Sequence, residues 1–475
     1  MIRRVIALAF AGGLAACSAP SQVQAPPAPA AAPQGPAVQA MLDDLSERTF
    51  RFFWDTANPA NGLVPDRYPT PSFSSVAAVG FGLSAYIVGA ERGYVTRDTA
   101  RARTLTTLRF LWNAPQGDAA QGMTGFHGFF YHFLDMKTGA RSSNCELSTV
   151  DTALLLGGVL HAQSWYDRDD PEEAEIRRLA DQIYRRVDWQ WAQARPNAVV
   201  LGWDPETGFL AYDWRGYNEA MLVYVLALGS PTHALAPAAW SEWTSTYGRS
   251  WGKYEGIEHL GFAPMFGHQY SQIWIDFRGI RDQYMRERGL DYFENSRRAA
   301  YAQRSYAVRN PLACAGYGPN VWGVTASDGP ADAKIDGREF HSYAGRGMGP
   351  DHYDDCTIAP TGAAASIAFA PELAIPAIAE IKSRWGDQVY AKYGFLDAFN
   401  PTFTYAGRQS TGRVVPGAGW VDNDYLGIDQ GPIVTMLANY RDESVWRTMR
   451  KNPYLRAGLR QAGFTGGWLD AEPAK

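Results

Sequence analysis

STVDTALLLGGVLHAQSW (residues 148–165) and PEEAEIRRLADQIYRRVDWQW (residues 171–191) stand one short turn apart, and the contrast between them decides the fold. The first is apolar nearly all round, as a helix buried on every side must be. The second keeps Glu and Arg on one face and Ile, Leu and Tyr on the other, as a helix covering a core does. Pro171 suits a first helical turn, where a missing N–H costs nothing. Working outward, apolar segments at 74–90, 217–229, 268–280, 361–370 and 431–440 are each followed by a charged one, at 97–112, 237–247, 284–308, 371–385 and 442–450. A leading helix is expected near 42–54. Six buried helices alternating with six amphipathic ones predict an all-α (α/α)6 toroid, an inner ring inside an outer ring. Gly80, Gly82, Gly157 and Gly158 fall inside buried helices, where each costs about 1 kcal/mol relative to Ala, so close backbone approach is their expected reason. The Gly-punctuated segment 123–144, with a β-like stretch at 128–134, predicts a β-hairpin among long rim loops.

Ahead of this domain, assigned to residues 39–475, the chain reads as an export signal over residues 1–16: Arg3 and Arg4, an apolar run from Val5 to Leu14, then small residues. Leu14-Ala15-Ala16-Cys17 resembles a bacterial lipoprotein box, with Cys17 as the lipidated residue; an ordinary cleaved signal with an incidental Cys is the alternative. Residues 17–38, rich in Ala, Pro and Gln, form the expected tether. No other apolar run reaches the ~20 residues of a membrane helix, so membrane contact is expected through the anchor only, in the periplasm or at the outer membrane. In an oxidising compartment Cys314 can bridge Cys356 and leave Cys145 free, although the sequence does not fix the pairing.

Composition narrows the partners. With 44 Lys+Arg against 49 Asp+Glu, a net charge of −5 and no basic run longer than a pair such as Arg3-Arg4, the chain lacks a footprint for nucleic acid. Sixteen Trp and 25 Tyr exceed the needs of a core and suit a ligand with flat apolar faces, such as a sugar. C-x-x-C, H-E-x-x-H, phosphate-loop and G-x-S-x-G patterns are missing, so neither a metal nor a cofactor is expected.

In a toroid the N-termini of all inner helices open at one end, and the acids collect there. Asp66 precedes the first inner helix; Glu146 and Asp151 flank the second; Glu219 opens the third; Asp351, Asp354 and Asp355 precede the fifth; Asp422, Asp424 and Asp429 precede the sixth. Cleaving a glycosidic bond needs one carboxylic acid and one carboxylate, and acids from different loops can supply that pair. Ser148 with Asp151 also fits a capping box, and both readings stay open. Glu219 sits in Asp213-Trp214-Arg215-Gly216-Tyr217-Asn218-Glu219, where aromatic neighbours suit a tuned acid. Trp214, Tyr217 and Trp322 are expected to stack on sugar rings. His127 and His132 either donate to hydroxyls or pack among Phe126, Phe129, Phe130 and Tyr131. The group His352, Asp354, Asp355 reads as a solvated turn rather than a metal site.

These strings together resemble the bacterial glucoamylase-like proteins of glycoside hydrolase family 144, the β-1,2-glucanases: Gly62 to Arg67, Gly128 to Asp135, Glu146 to Leu155, Tyr217-Asn218-Glu219-Ala220, and Asp422-Asn423-Asp424-Tyr425 through Asp429-Gln430-Gly431-Pro432. The likeness spans about residues 40 to 460. It implies an (α/α)6 fold and inverting hydrolysis of β-1,2-glucan, with Glu219 as acid and Asp422, Asp424 or Asp429 as its partner, while the matching Glu146 and Asp151 join the catalytic candidates. Asp66, Arg67, His127, Phe130 and His132, in matching strings, join Trp214, Tyr217 and Trp322 as expected substrate contacts. Two rivals remain: a carbohydrate-binding or uptake lipoprotein without catalysis, and a polysaccharide lyase. Lyases need cations near a uronate, whereas acids outnumber cations on this rim.

Overall fold

Gly80 and Gly158 face each other across the first two inner helices, Val76–Glu91 and Thr149–Trp165, in a computed structural model that describes residues 31–348 and 352–471. A Cβ on Gly158 would stand 2.0 Å from the Gly80 carbonyl oxygen, and one on Gly80 2.4 Å from that of Leu154. Only bare backbone fits. The ring continues from this contact. Met221–Gly229, the third inner helix, packs on the second. Leu222 N–H donates to Ser271 Oγ (3.1 Å), joining it to the fourth, Tyr270–Trp274. Gln269 Nε2 donates to the Gly362 carbonyl (2.9 Å) and Ser366 Oγ (3.0 Å), joining the fourth to the fifth, Pro360–Ala364. The sixth, Gly427–Asp442, packs on both the fifth and the first and closes the circle.

Amphipathic helices cover this ring. Arg97–Asn113 and Pro171–Arg185 back the first two inner helices, and Pro36–Thr56 covers the seam between the first and sixth. Tyr292–Arg309 packs on Pro371–Trp385, which backs the fifth inner helix, and Pro453–Gln461 lies on the third. The molecule is mainly helical, in a succession consistent with an α/α toroid.

Several expectations need correction. Residues 268–280 do not form one helix: Met265–His268 is a 3-10 turn, Tyr270–Trp274 a single turn and a half, and the chain then leaves the axis because the Asp276 carboxylate accepts from Arg278 N–H (3.1 Å), a local bond that competes with helix. Likewise 361–370 is helical only to Ala364, after which Ser366, Ile367 and Phe369 N–H groups bond three residues back. The chain is not all-α. Short antiparallel strands lie between the helices, and Gly125–Phe126, Phe129–Tyr131, Leu147–Ser148, Gly202–Asp204 and Gly208–Phe209 form a five-stranded sheet in that order. Gly125 pairs with Phe130 and Phe126 with Phe129, around a turn at His127 and Gly128. The first helix starts at Pro36, inside the expected tether. The export signal and Cys17 lie outside the described residues, as does Asp351. Among the described residues no helix is long and apolar enough to cross a membrane. Cys314 is bonded to Cys356 (Cα–Cα 5.3 Å), and Cys145 is a buried thiol.

Candidate active site

The N-terminal ends of the inner helices converge on a cleft of about 420 Å³. Ser75 caps the first inner helix there, Asp151 belongs to the second, Glu219 precedes the third, Tyr270 opens the fourth and Ile428 stands in the first turn of the sixth. Helix N-termini carry partial positive charge, so carboxylates gather at this end without a lysine beside each one.

Glu219 lies in the turn ahead of Met221 rather than inside the helix, because Asn218 Oδ1 accepts from Ala220 N–H (2.9 Å) and delays the helix start. Ser271 Oγ donates to the Glu219 carbonyl (2.8 Å) and fixes the backbone. One carboxyl oxygen, Oε2, is shut off from water and has no protein partner. Burial, reinforced by the charge of Asp151, pushes the Glu219 carboxyl up to about 7. Near neutral pH it can therefore hold a proton at the cleft wall.

Beside it sits a charged triad. His132 Nδ1 is 2.9 Å from Glu146 Oε1, and its Nε2 is 3.6 Å from Asp151 Oδ2. Burial opposes the imidazolium, but Asp151 and the Glu146 hydrogen bond outweigh it and raise His132 to about 9. The same ring, against burial, holds Glu146 below its ordinary range. Asp151 serves the cap as well: Ser148 Oγ donates to its carboxylate (2.5 Å) and accepts from its N–H (3.2 Å).

Asp66 and Arg67 also line the cleft, and a second acidic group gathers around that guanidinium. Arg67 Nη1 donates to Asp328 Oδ2 (2.5 Å), Arg67 Nε donates to Asp66 Oδ2 (3.2 Å), and Asp424 Oδ2 is 4.0 Å from the guanidinium. Asp397, Asp422 and Asp429 are buried beside this bridge, at 1%, 2% and 4% exposure. Burial, with the charges of Asp397 and Asp328, raises Asp422 to about 8. Burial raises Asp429 to about 7, with Asp328 and Asp422 adding to it and a hydrogen bond from Asp397 working against it. Oxygens of Asp328, Asp397 and Asp422 come within 4.8 Å of one another, and the counter-charge beside them is the Arg67 guanidinium.

The structure thus brings together Asp66, Arg67, His132, Glu146, Asp151, Glu219, Asp422, Asp424 and Asp429. It does not bring the expected aromatic platforms to the cleft. Phe130 and Trp322 are fully buried, and Tyr217 at 4% exposure is locked in the core by its hydroxyl against His268 Nδ1 (3.0 Å). Trp214 spends its Nε1–H on Thr149 Oγ1 (2.9 Å). His127 stacks on Trp191 (4.4 Å) and pairs with Asp188 (3.3 Å), outside the cleft. These rings fill space between rim strands and helices. The flat faces at the cleft belong instead to Phe73, Phe133, Phe266, Tyr270 and Tyr343. The group at 354–355 is no solvated turn: Asp355 is fully buried against Arg346 (2.7 Å), and Asp354 accepts from Tyr306 and Tyr317 (3.0 and 2.9 Å). Sequence reasoning also missed Asp328 and Asp397. Asp328 hides in a Ser-Asp-Gly-Pro turn signal, whereas Asp397, one acid within the apolar run 394–399, is the kind of buried polar residue that carries information.

The chain is similar to known proteins of glucoamylase-like fold. The family model described as "Glycoamylase: Putative glucoamylase" matches residues 211–453. An exo β-1,2-glucooligosaccharide sophorohydrolase (non-reducing end) of Parabacteroides distasonis is 28% identical over 457 residues, covering 89% of this chain; the chain spans 57% of that relative's length. Among solved structures, a "putative glucoamylase" from Bacteroides caccae is 31% identical with a TM-score of 0.78, over 90% of this chain and 100% of its own. An endo-β-1,2-glucanase from Chitinophaga pinensis, solved with sophorotriose and glucose, is 27% identical with a TM-score of 0.78, over 91% of this chain and 100% of its own.

Proposed function

We propose, since this chain belongs to the Glycoamylase family, that it is a glycoside hydrolase cleaving β-1,2-linked glucan or its oligosaccharides on an (α/α)6 toroid with a β-hairpin at the rim. The observation that carries the proposal is Glu219, raised to about 7 in the wall of a cleft that Asp66 and Arg67 also line, with the buried Asp429 close enough to Asp66 for their charges to act on each other. Names of relatives on both sides of the exo and endo divide support β-1,2-glucan as substrate.

The mechanism uses Glu219 as general acid and Asp429 as general base. Glu219 donates its proton to the glycosidic oxygen as the bond from that oxygen to the anomeric carbon breaks. A water attacks the same carbon from the opposite face and gives its proton to Asp429, so the reaction inverts. The proton count balances once Asp429 returns its proton and Glu219 regains one through solvent. His132, held through Nδ1 by Glu146, offers its Nε2–H to a sugar hydroxyl, and Tyr343, exposed at the cleft, offers a ring face.

Release of reducing ends from linear β-1,2-glucan, measured beside β-1,3-, β-1,4- and α-1,4-glucans, tests the reading. Turnover of the β-1,2-glucan above the others is expected. Binding without release would make the protein a carbohydrate-binding lipoprotein instead. The proposed location, exported and held to the membrane through Cys17, is tested by palmitate incorporation, which Cys17→Ser should abolish; no incorporation into the wild type refutes it.

A further inference from the structure

We propose that Tyr270 and Ser271, neighbours on the fourth inner helix, are positioning residues that together set the span between Glu219 and Asp429. This rests on the reading of those two carboxyls as acid and base. Successive side chains leave a helix about 100° apart, so one short element can reach in two directions. Ser271 Oγ reaches the third inner helix, where it accepts from Leu222 N–H (3.1 Å) and donates to the Glu219 carbonyl (2.8 Å). Tyr270 reaches the sixth, where its hydroxyl donates to the carbonyl of Ile428 (3.0 Å), the residue before Asp429. Thr361 Oγ1 donates to the Asp429 carbonyl (3.3 Å) and Gly427 N–H to that of Asp66 (2.8 Å), so this turn is held from three elements. Burial, and after it the charge of Asp429, lifts the Tyr270 phenol well above its ordinary range, and the charge of Glu219 acts on it as well. The phenol therefore stays a donor at any working pH.

A spacer must be rigid, and Tyr270–Trp274, with five residues, has no length to make it so. Its neighbours supply the rigidity. Gln269 Nε2 ties its start to the fifth inner helix, Trp274 Nε1 donates to Ser84 Oγ (3.0 Å) on the first, and Asn439 Nδ2 on the sixth donates to the Ile273 carbonyl (3.0 Å). From the outer side, Trp446 Nε1 donates to the Gln272 carbonyl (2.6 Å), and Gln272 Nε2 donates to the Tyr292 carbonyl (2.8 Å). Breaking any of these bonds leaves a buried polar group unpaired, which is why the segment resists displacement. The acid and the base thus hang from adjacent residues of one clamped turn. Ser271 is buried, and Tyr270 shows its ring to the cleft. Phe at 270 would keep that ring face and remove only the bond to Ile428.

Two deletions of a single hydroxyl test this on linear β-1,2-glucan. A misplacement of about 1 Å costs about 10²-fold in rate, so Ser271→Ala and Tyr270→Phe should each lower kcat by about 10 to 100-fold. KM should stay within about threefold, because both hydroxyls are committed to backbone. Thr104→Ala is the control: it removes an equally buried hydroxyl, bonded to Tyr166 (3.3 Å), from the outer helix Arg97–Asn113. It should lower the melting midpoint by a similar amount and leave kcat within about twofold. Unchanged kcat in both positioning variants, or a loss in Thr104→Ala as large as theirs, overturns the proposal. A second arm needs no substrate. With ¹³C at glutamate carboxyls, and the Glu219 signal assigned by its loss in Glu219→Gln, Ser271→Ala should titrate Glu219 about one pH unit below wild type, because a loosened turn admits water to its buried Oε2. An unmoved titration overturns the proposal. If the titration moves but the wild type hydrolyses no glucan, the proposed activity is refuted while the hold of Ser271 on Glu219 stands.

Discussion

Replacing Gly158 by Ala would set a methyl carbon 2.0 Å from the Gly80 carbonyl oxygen, 1.4 Å short of the 3.4 Å at which ordinary contact begins. The obstacle is backbone in the middle of another helix, so no rotamer change relieves it, and the two inner helices must part. Overpacking of this kind costs about 1 to 3 kcal/mol, and a contact this rigid belongs at or above the upper end, even after the ~1 kcal/mol that Ala returns in helix propensity. With an unfolding entropy near 2.1 cal/mol/K per residue, a chain of 475 residues loses about 1 °C per kcal/mol. Gly158→Ala should therefore lower the melting midpoint by about 2 to 3 °C. Gly248→Ala is the control: it is helical, and a Cβ there meets nothing within 4 Å, so its midpoint should hold or rise slightly. Melting curves for both variants, followed by far-UV circular dichroism at one scan rate, make the comparison. A Gly158→Ala midpoint equal to that of Gly248→Ala would refute the claim that backbone contact between these helices sets the ring.

Turnover should also follow a narrow bell in pH. Asp429 must be ionised, so kcat/KM should rise as pH climbs through about 7; Glu219 must be protonated, so it should fall again above about 7. A profile flat from pH 5 to 9 would contradict both assignments. His132→Gln removes the imidazolium that Glu146 and Asp151 share, and charged hydrogen bonds of about 1.5 to 3 kcal/mol put the expected loss in kcat/KM at about 10 to 100-fold. Unchanged kinetics would return His132 to a packing role.

Much of this architecture is legible in the chain because burial writes itself into polarity. A helix enclosed on all sides has no position for charge, which is why 148–165 and 76–91 stand out, and a glycine kept in such a helix points to backbone contact, as Gly80 and Gly158 bear out. The fourth and fifth inner helices are harder to read. Apolarity at 268–280 and 361–370 reports burial, whereas helix length there is set by the Asp276 side-chain bond and by the turn after Ala364, neither of which has a period. The acids of the cleft were readable from their place ahead of inner helices. Asp328 ends the strand Ala326–Asp328 and Asp397 lies in the bend between Gly394–Phe395 and Phe399–Asn400, far apart in sequence, and they meet only in the fold, where Asp328 N–H donates to Asp397 Oδ2. The aromatic platforms misled for a related reason: Trp and Tyr near an acid in sequence, such as Trp214 and Tyr217, brace its loop from behind, and the rings facing the cleft come from other segments, such as Phe73, Phe133 and Tyr343.

The central claim is that Glu219 is the proton donor, and the turnover of Glu219→Gln on linear β-1,2-glucan tests it most directly. Gln keeps the shape and cannot give up a proton. Since general acid catalysis is worth about 10² to 10⁴-fold, kcat should fall by at least that factor, while circular dichroism stays native and the glucan still binds. A natively folded Glu219→Gln protein with wild-type turnover would contradict the account.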